Sequence, residues 1–563
     1  MKKLIALLLA LTMVFALVAC GPKDDQSKDP NPSQTSDVKD QLDNQKDQEN
    51  LEDIENADNT YVKDKIVLAW DTATTLVPWG TKNSTPGNYQ VYEMLYECDA
   101  KGEMYPLLAD GTYEGSYMPG MDHEKGSGVY TIKIYDYIKD HKGNAITASD
   151  VAYSFNYQFE NESTSGWGDF QGAEAKDDTT VVLKFAKDQT DVGQLLNIIC
   201  RCFIVDEQAH QNSESKLANE MIGTGPYKMK SYTSGSELVL EMNEDYWQKE
   251  ELIRQEQQAN VKEVVYKFID ESSQRVIGLK TGDVQFAQNL KADDLTDFID
   301  GGEFDDQYNV YTYNQKFVYG VTVNGSADNI MSDVNMRLAV FNAIDQDGLI
   351  QALGGTNVRL NGYATSYYSD YDWVDYDSMT NYNTKTGVDS ALVKEYLDKA
   401  GYKGETIRLL GATPVSDAAT IIAAQLMQQG INCEAQVLDN NSANAAQADP
   451  AAWDITVYMM AGDFNVTVWS HAFDYANTAT GDRTMYHLVD DEWEAMLDTV
   501  LTEEGHTPEN MEKWWNHAVE NAYVMALFTG KSYDVIPEDM TYYCLGDKLT
   551  PLPGSSTYAA PEA

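Results

Sequence analysis

The segments Ile407-Arg408-Leu409-Leu410, Asp417 to Gln429 and Cys433 to Val437 together decide the fold class. The first and last are short and apolar, as expected of strands, whereas the apolar residues of the middle run recur with the helical period of 3.6. Gly430 follows the run, and glycine commonly ends a helix because it accepts a left-handed backbone. The order strand, helix, strand indicates a βαβ unit, so the sequence predicts a mixed α/β protein.

The same two periods alternate along the chain beyond Tyr61. Alternation typical of half-buried strands occurs at Leu238, Leu240 and Met242 and at Val264, Tyr266 and Phe268. One-sided helical spacing occurs at Met336, Val340, Ala343 and Ile344 and at Leu392, Tyr396 and Ala400. The sequence has no repeat of 20 to 50 residues, which argues against a solenoid or a propeller.

The first residues have the pattern of an export signal. Lys2 and Lys3 precede an apolar run from Leu4 to Val18, which is too short to span a bilayer but typical of a secretory signal. The run ends in Ala19-Cys20-Gly21, which resembles the bacterial lipobox and implies cleavage before Cys20 and lipidation, such as palmitate, on that residue. We expect residues 1–20 to be a lipoprotein signal peptide and Cys20 to anchor the protein to the outer face of the cytoplasmic membrane. An ordinary signal peptide with a chance cysteine is the alternative.

Residues 21–60 are dominated by Asp, Gln, Asn, Lys, Ser and Pro, with few large apolar side chains. Such a composition cannot bury enough apolar surface to fold. We expect a disordered acidic tether that holds the folded part away from the membrane. An acidic interaction tail is the alternative interpretation.

Charge excludes one class of partner. The chain has 40 Lys and Arg residues against 90 Asp and Glu residues, a formal net charge of -50. A surface this negative repels phosphate backbones, so nucleic acid is not an expected partner.

Candidate catalytic and metal motifs fail on inspection. Gly530-Lys531-Ser532 resembles the end of a phosphate-binding loop, but Met525 occupies the position of its first glycine. The acidic segment Asp370 to Asp377 has Asp375 where a calcium loop needs glycine. The seven His have no His-Glu-x-x-His spacing, and Cys-x-x-Cys and Gly-x-Ser-x-Gly are absent from the sequence. We therefore expect no enzyme activity, no cofactor and no metal site.

Five cysteines lie beyond the signal segment, namely Cys98, Cys200, Cys202, Cys433 and Cys544. Export permits disulfides, but an odd number leaves at least one thiol over. We expect mostly buried free thiols, with one disulfide as the alternative.

A series of segments, in order along the chain, resembles the extracytoplasmic solute-binding proteins of family 5, the peptide/nickel class of ABC importers. The matching segments are Gly143 to Ser154, Gly223 to Lys228 with Asn243 and Tyr246-Trp247, Arg275 to Gln288, Asn335 to Asp345, Val393 to Tyr402, and Trp453-Asp454-Ile455 with Gly462-Asp463-Phe464. Each match is weak alone, but their common order makes coincidence improbable. Glycine, proline and helix-capping residues in these segments are expected to serve the scaffold.

The resemblance implies a two-lobed α/β fold, the periplasmic-binding-protein-like type II fold, with an extra subdomain inserted in the first lobe. The expected divisions are residues 61–88, 201–308 and 524–563 for lobe I, 89–200 for the inserted subdomain and 309–523 for lobe II. A ligand would lie between the lobes and be enclosed by hinge closure. The implied partners are a peptide or other small molecule and the transmembrane subunits of an ABC permease, and we expect a monomer.

The resemblance also implies ligand-binding residues. In peptide-binding members the Asp of the last motif pairs with the peptide α-amino group, and Asp463 matches that position. Four aromatic residues near family cleft segments are candidates for side-chain pockets: Trp79, Tyr363, Phe464 and Trp469. Aromatic residues of this kind more often belong to a core.

Two other functions stay open at this point. One is binding of an oligosaccharide or a metal chelate on the same fold, with aromatic stacking or a histidine in place of the amine anchor. The other is a peptide sensor or chaperone that is not coupled to import.

Overall fold

The computed structural model describes residues 61–79, 85–99, 104–161, 167, 170–186, 188, 194–315, 317–362, 373–375, 387–461, 487–500, 502, 504–541, 544–545 and 550–560. The strands are β1 Lys63–Trp70, β2 Tyr96–Cys98, β3 Met104–Pro106, β4 Met121–His123, β5 Val129–Lys133, β6 Phe170–Asp177, β7 Thr180–Phe185, β8 Tyr227–Thr233, β9 Glu237–Met242, β10 Val261–Phe268, β11 Phe286–Leu290, β12 Tyr308–Asn314, β13 Phe317–Val323, β14 Val358–Arg359, β15 Ile407–Ala412, β16 Cys433–Leu438, β17 Ile455–Ala461, β18 Val524–Thr529, β19 Lys531–Pro537, β20 Met540–Thr541, β21 Cys544–Leu545, β22 Thr550–Pro551 and β23 Thr557–Tyr558. The α-helices are α1 Asn88–Val91, α2 Ala148–Asn161, α3 Gln194–Ile199, α4 Glu207–Asn212, α5 Ser272–Thr281, α6 Val334–Asn342, α7 Gln346–Ala352, α8 Ser390–Ala400, α9 Ser416–Gln428, α10 Asn440–Gln447, α11 Asp491–Val500 and α12 Pro508–Glu520.

The first large sheet has seven strands in the order β12-β19-β11-β1-β10-β9-β8. Its central strand β1 pairs in parallel with both β10 and β11. Ile66 and Leu68 face one apolar cluster, whereas Val67 and Ala69 face another on the opposite side of the sheet. Because both faces are covered there, the part of β1 from Ile66 to Trp70 is wholly apolar and buried. The strands predicted around Leu240 and Tyr266 are confirmed as β9 and β10.

The second large sheet has six strands in the order β14-β18-β13-β17-β15-β16. It contains the predicted βαβ unit, since β15 and β16 pair in parallel with Ile407 opposite Cys433, and α9 connects them. Gly430 follows α9 with a φ of 83°. That left-handed backbone favours glycine and stops the helix. One continuous apolar core packs on this sheet.

Between β1 and β8 the chain forms a separate antiparallel sheet in the order β4-β5-β7-β6, with α2 packed against it. Its core is a cluster of its own, drawn mostly from residues 95–204. The mixed α/β content and the two large sheets agree with the predicted two-lobed fold class.

In the segment Gly143 to Ser154 the sequence predicts that Ser149 or Asp150 caps the helix that carries Val151, and Asp150 makes the capping contact from inside the first turn of α2. The helix begins at Ala148, and Asp150 accepts hydrogen bonds from Thr147 N and Oγ1, both at 2.8 Å. Asp150 therefore lies inside the first turn and reaches back to Thr147, as the acidic member of a capping box does.

The expected lobe boundaries differ from the sheet boundaries at two places. Strand β12 pairs with β19 in the seven-stranded sheet, although the sequence placed residues 309–314 in lobe II. Strand β18 pairs with β13 in the six-stranded sheet, although the sequence placed residues 524–529 in lobe I. The chain changes sheet between Asn314 and Phe317 and again at Gly530. At each point only a few polar residues separate two strands, as in an ordinary turn, and periodicity alone does not show which sheet each strand joins.

Four of the five cysteines outside the signal segment are buried and form no disulfide: Cys98, Cys200, Cys202 and Cys433. The expectation of buried free thiols is confirmed for these four. Within the described ranges, no helix combines the length and the apolar character needed to cross a membrane.

Candidate functional site

The two sheets are joined by a pair of adjacent chain crossings. Gln315 N donates to Gly530 O at 2.7 Å, and Thr529 Oγ1 donates to Gln315 O at 2.8 Å. The Gln315 side chain also donates from Nε2 to Ser532 Oγ at 3.0 Å. A Cβ on Gly530 would lie 2.5 Å from Gln315 Oε1, so only glycine fits without a shift. Two short crossings held by few hydrogen bonds can serve as a hinge between two rigid sheets.

Strand β17 leads to the predicted amine anchor. It lies inside the six-stranded sheet, antiparallel to β13 and parallel to β15. Just before it, buried Asp454 accepts from Arg408 Nε at 2.9 Å and Nη2 at 2.6 Å and from Asn329 Nδ2 at 2.9 Å. The hydrogen bonds to the Asp454 carboxylate raise the pKa of the Arg408 guanidinium. The Asp454 carboxylate is thus fully used in fixing the start of β17.

The structure tests few of the predicted site residues. Tyr363, Asp463, Phe464 and Trp469 lie outside the described residues, as does Cys20. For these positions the predictions stand as they were made.

Trp79 is described, and it packs in the core of the seven-stranded sheet. Its side chain is 3% exposed, and its Nε1 donates to Phe203 O at 2.7 Å. The ring centroid lies 5.1 Å from those of Tyr157 and His210. The sequence alone could not decide whether Trp79 packs in the core or lines a ligand pocket, because a large aromatic side chain after β1 suits either role. A ligand contact by Trp79 stays a prediction.

His210, next to Trp79, is a buried neutral histidine. Its Nδ1 lies 2.8 Å from Tyr153 Oη. Burial lowers the pKa of His210 to about 4, and the nearby charge of Lys216 acts in the same direction. At neutral pH the ring is therefore uncharged. It contributes packing and a hydrogen bond to this cluster.

The Gly223 to Lys228 motif makes packing and hydrogen-bond contacts within the fold. A Cβ on Gly223 would clash with the backbone oxygen of Val91, and Gly225 N donates to the same oxygen at 2.9 Å. Downstream, Tyr246 and Trp247 donate to the buried carboxyl group of Glu93. Burial raises the pKa of Glu93. These contacts agree with the expectation that the motif marks the fold rather than a ligand contact.

A cavity of about 550 Å³ opens beside α2 and α4. Its lining includes Asp150 and Asp206. Asp150 accepts from Thr147 and from Glu207 N, while Asp206 caps α4 by accepting from Ala209 N at 2.7 Å. These two carboxylates are therefore already engaged within the protein. In the described part of the chain, no cluster of three or more His, Cys, Asp or Glu residues could hold a metal ion.

Sequence reasoning missed a row of four side chains on the six-stranded sheet, next to the crossings. Arg359 on β14 lies opposite Phe528 on β18, Phe528 lies opposite Tyr319 on β13, and Tyr319 lies opposite Met459 on β17. The Tyr319 and Phe528 rings stack with centroids 4.7 Å apart and planes inclined by 17°. Met459 is 38% exposed, which is unusual for a methionine in a central strand. Only the strand register brings these four residues together, and the sequence carries no signal for that register.

Comparison with known proteins gives one family. The profile described as "Bacterial extracellular solute-binding proteins, family 5 Middle" matches residues 103–491. The oligopeptide-binding protein AppA of Bacillus subtilis (strain 168) is 25% identical over 412 residues, which cover 67% of this chain and 69% of AppA.

Solved structures show the same fold at low identity. The structure of Bacillus subtilis AppA in complex with a nonapeptide has a TM-score of 0.65 and 18% identity, covering 89% of this chain and 100% of AppA. NikA from Brucella suis in complex with Fe(III)-EDTA has a TM-score of 0.67 and 18% identity, covering 87% of this chain and 99% of NikA. At these identities the likeness establishes the fold alone.

Proposed function

The chain belongs to family 5 of the bacterial extracellular solute-binding proteins, and from this premise we propose that it captures oligopeptide-like solutes between its two lobes and delivers them to an ABC permease. The observation that carries the proposal is the alignment with a relative named an oligopeptide-binding protein over 412 residues. In this role the protein binds its ligand without chemical change and acts as a monomer.

The contacts between the sheets support capture by closure. The two crossings at Gln315 and Gly530 leave each sheet with its own core, so the lobes can rotate as rigid bodies. Closure removes water from polar contacts with the ligand and strengthens them. Asp463 would pair with the peptide amine, and Phe464, Trp469, Tyr363 and Trp79 would contact side chains.

Ligand binding is expected to make the protein more compact. Small-angle X-ray scattering on the mature protein, without and with a saturating peptide, should give a smaller radius of gyration with peptide. Peptide binding should also persist in EDTA, since the described residues contain no cluster of metal ligands. An unchanged radius at saturation would argue against closure, and loss of binding in EDTA would argue for a metal-dependent ligand.

We also propose that Cys20 is lipidated and holds the protein outside the cytoplasmic membrane. The support is the apolar run Leu4 to Val18 followed by Ala19-Cys20. One acyl chain binds a membrane only marginally, so stable anchoring implies two or more chains. Cys20→Ala should abolish labelling by radioactive palmitate and leave unprocessed precursor. Unchanged labelling of this variant would exclude Cys20 as the lipidated residue.

A metal chelate is the second candidate ligand. The likeness to NikA in complex with Fe(III)-EDTA favours it, because the same fold there accommodates a chelate. Inductively coupled plasma mass spectrometry on protein purified without chelators separates the two candidates, since a chelate binder would carry stoichiometric metal.

A further inference from the structure

The antiparallel sheet β4-β5-β7-β6 contacts the second lobe through one ion pair. Lys125, at the tip of the β4–β5 hairpin, donates from Nζ to Glu504 Oε1 at 3.2 Å. Glu504 lies between α11 and α12, which share the apolar core of the six-stranded sheet. Among the described residues, no other ion pair joins residues 89–200 to residues 309–523. The pair therefore connects the lobes at a point separate from the chain crossings.

The hairpin tip that carries Lys125 is held in shape by Asp188. The Asp188 carboxylate accepts hydrogen bonds from Gly126 N and from Gly128 N, the latter at 2.7 Å. His123 Nε2 lies 3.3 Å from the same carboxylate. A tip that is already fixed by these contacts presents Lys125 with little further loss of backbone entropy.

The loop that carries Glu504 is also held by internal hydrogen bonds. Gly505 N donates to Thr502 O at 3.1 Å, and His506 N donates to the same oxygen at 2.8 Å. Asn510 Nδ2 on α12 donates to Gly505 O at 2.9 Å. Because both the hairpin tip and this loop are fixed within their own lobes, the distance between Lys125 and Glu504 follows the movement of the lobes.

The charge on both sides of the contact is otherwise negative. Residues 89–200 contain 19 Asp and Glu against 8 Lys, and residues 490–520 contain 10 Asp and Glu against Lys513 alone. Lys513 is already paired with Glu509 on α12. Two negative bodies repel each other as they approach. A cation at the point of contact offsets that repulsion.

The contact has the properties of one that forms and breaks. The side chains of Lys125 and Glu504 are each 86% exposed, so their pairing buries little surface. An exposed ion pair stabilises a contact only slightly. Such a pair shifts an equilibrium between two arrangements a few-fold but does not hold two lobes together permanently.

We propose that the β4–β5 hairpin is a latch for the closed protein: Lys125 binds Glu504 when the lobes close about the crossings, and the pair separates when they open. The proposal rests on the proposed function, capture by closure, and gives the antiparallel sheet a part in it. Loss of the pair should shift the balance toward the open form about two- to fivefold.

Coupling by a water-soluble carbodiimide tests the contact directly, because it joins an amine to a carboxyl group without a spacer. The Lys125 amine attacks the activated Glu504 carboxyl group, an amide bond forms, and the carbodiimide leaves as its urea. Peptide mapping of the mature protein should find this link. The pair Lys394 and Asp398 within α8 is the internal standard. A saturating mixture of random tetra- to hexapeptides should raise the yield of the 125–504 link about twofold or more relative to the standard.

Charge reversal tests what the latch does. Lys125→Glu should remove the link, enlarge the radius of gyration of the unliganded protein, and lower the amount of the peptide mixture retained on gel filtration about two- to fivefold. Adding Glu504→Lys restores an opposite pair and should restore all three readouts. Lys184→Glu is the matched control, since Lys184 is 43% exposed and pairs with Glu174 within the same antiparallel sheet; it should behave as wild type.

The proposal is overturned if the 125–504 link is missing while the standard forms, or if the double variant does not restore what Lys125→Glu loses. It is also overturned if wild type retains peptides but the yield of the link does not change with them. Failure of the proposed function looks different, because wild type then retains no peptide. The radius of gyration of the unliganded proteins still decides in that case: Lys125→Glu must enlarge it, and the double variant must reverse the change.

Discussion

Asp463→Asn is expected to weaken peptide binding by about 30-fold to several thousand-fold, which corresponds to roughly 2–5 kcal/mol. In a closed cleft the peptide amine loses its water, and the amide of asparagine does not replace the charge of a carboxylate. Much of the loss comes from leaving the partner amine buried and unpaired. Isothermal titration calorimetry with the wild-type ligand measures the change directly.

Two comparisons make the Asp463 result specific. An N-acetylated form of the same peptide should bind wild type about as poorly as the free peptide binds the variant. Asp398→Asn removes an equal charge from a 68% exposed side chain on α8 that pairs with Lys394, and it should change affinity very little. Wild-type affinity in Asp463→Asn would remove Asp463 from the site and favour the sugar or chelate alternatives.

Arg275→Ala is expected to destabilise the first lobe by about 3–5 kcal/mol. Arg275 is 2% exposed and donates from Nε to Ile269 O at 2.6 Å and from Nη1 to Gln288 O at 2.7 Å, with Asp71 as its ion-pair partner. The variant leaves one buried and one partly buried carbonyl unpaired, at about 1–3 kcal/mol each, and it also loses packing. The unfolding temperature of this lobe should fall by on the order of 10 °C.

Differential scanning calorimetry of the mature protein tests this prediction, with Lys262→Ala as its control. Lys262 lies on β10 of the same sheet, is 62% exposed and pairs with Asp64, which is 87% exposed, so its removal should change stability very little. Equal melting of the two variants would show that Arg275 does not link α5 to its neighbouring strands in the way the contacts indicate.

Much of the fold could be predicted from local patterns. The βαβ unit around α9 and the alternating strands β9 and β10 were confirmed, because each is specified by apolar period and by a glycine or turn nearby. The points where the chain changes sheet could not be predicted. Gln315 and Gly530 lie in short polar stretches that look like ordinary turns between strands. Only long-range pairing decides which sheet each strand joins.

The candidate site was harder to predict, because part of it also depends on long-range strand pairing. The segment that carries Asp463 was found by resemblance alone, and its residues lie outside the described ranges. The row from Arg359 to Met459 depends on the register of four strands that are distant in sequence. Trp79 shows the opposite problem, since its residue type and position fit a pocket but its contacts are those of a core residue.

Mass spectrometry of the small molecules released by denaturing freshly purified mature protein tests the central claim most directly. Capture of oligopeptides predicts that the released material consists of short peptides with free termini, present in amounts approaching one per protein molecule. Release of an oligosaccharide or a metal chelate in that amount, with no peptide, would contradict the claim.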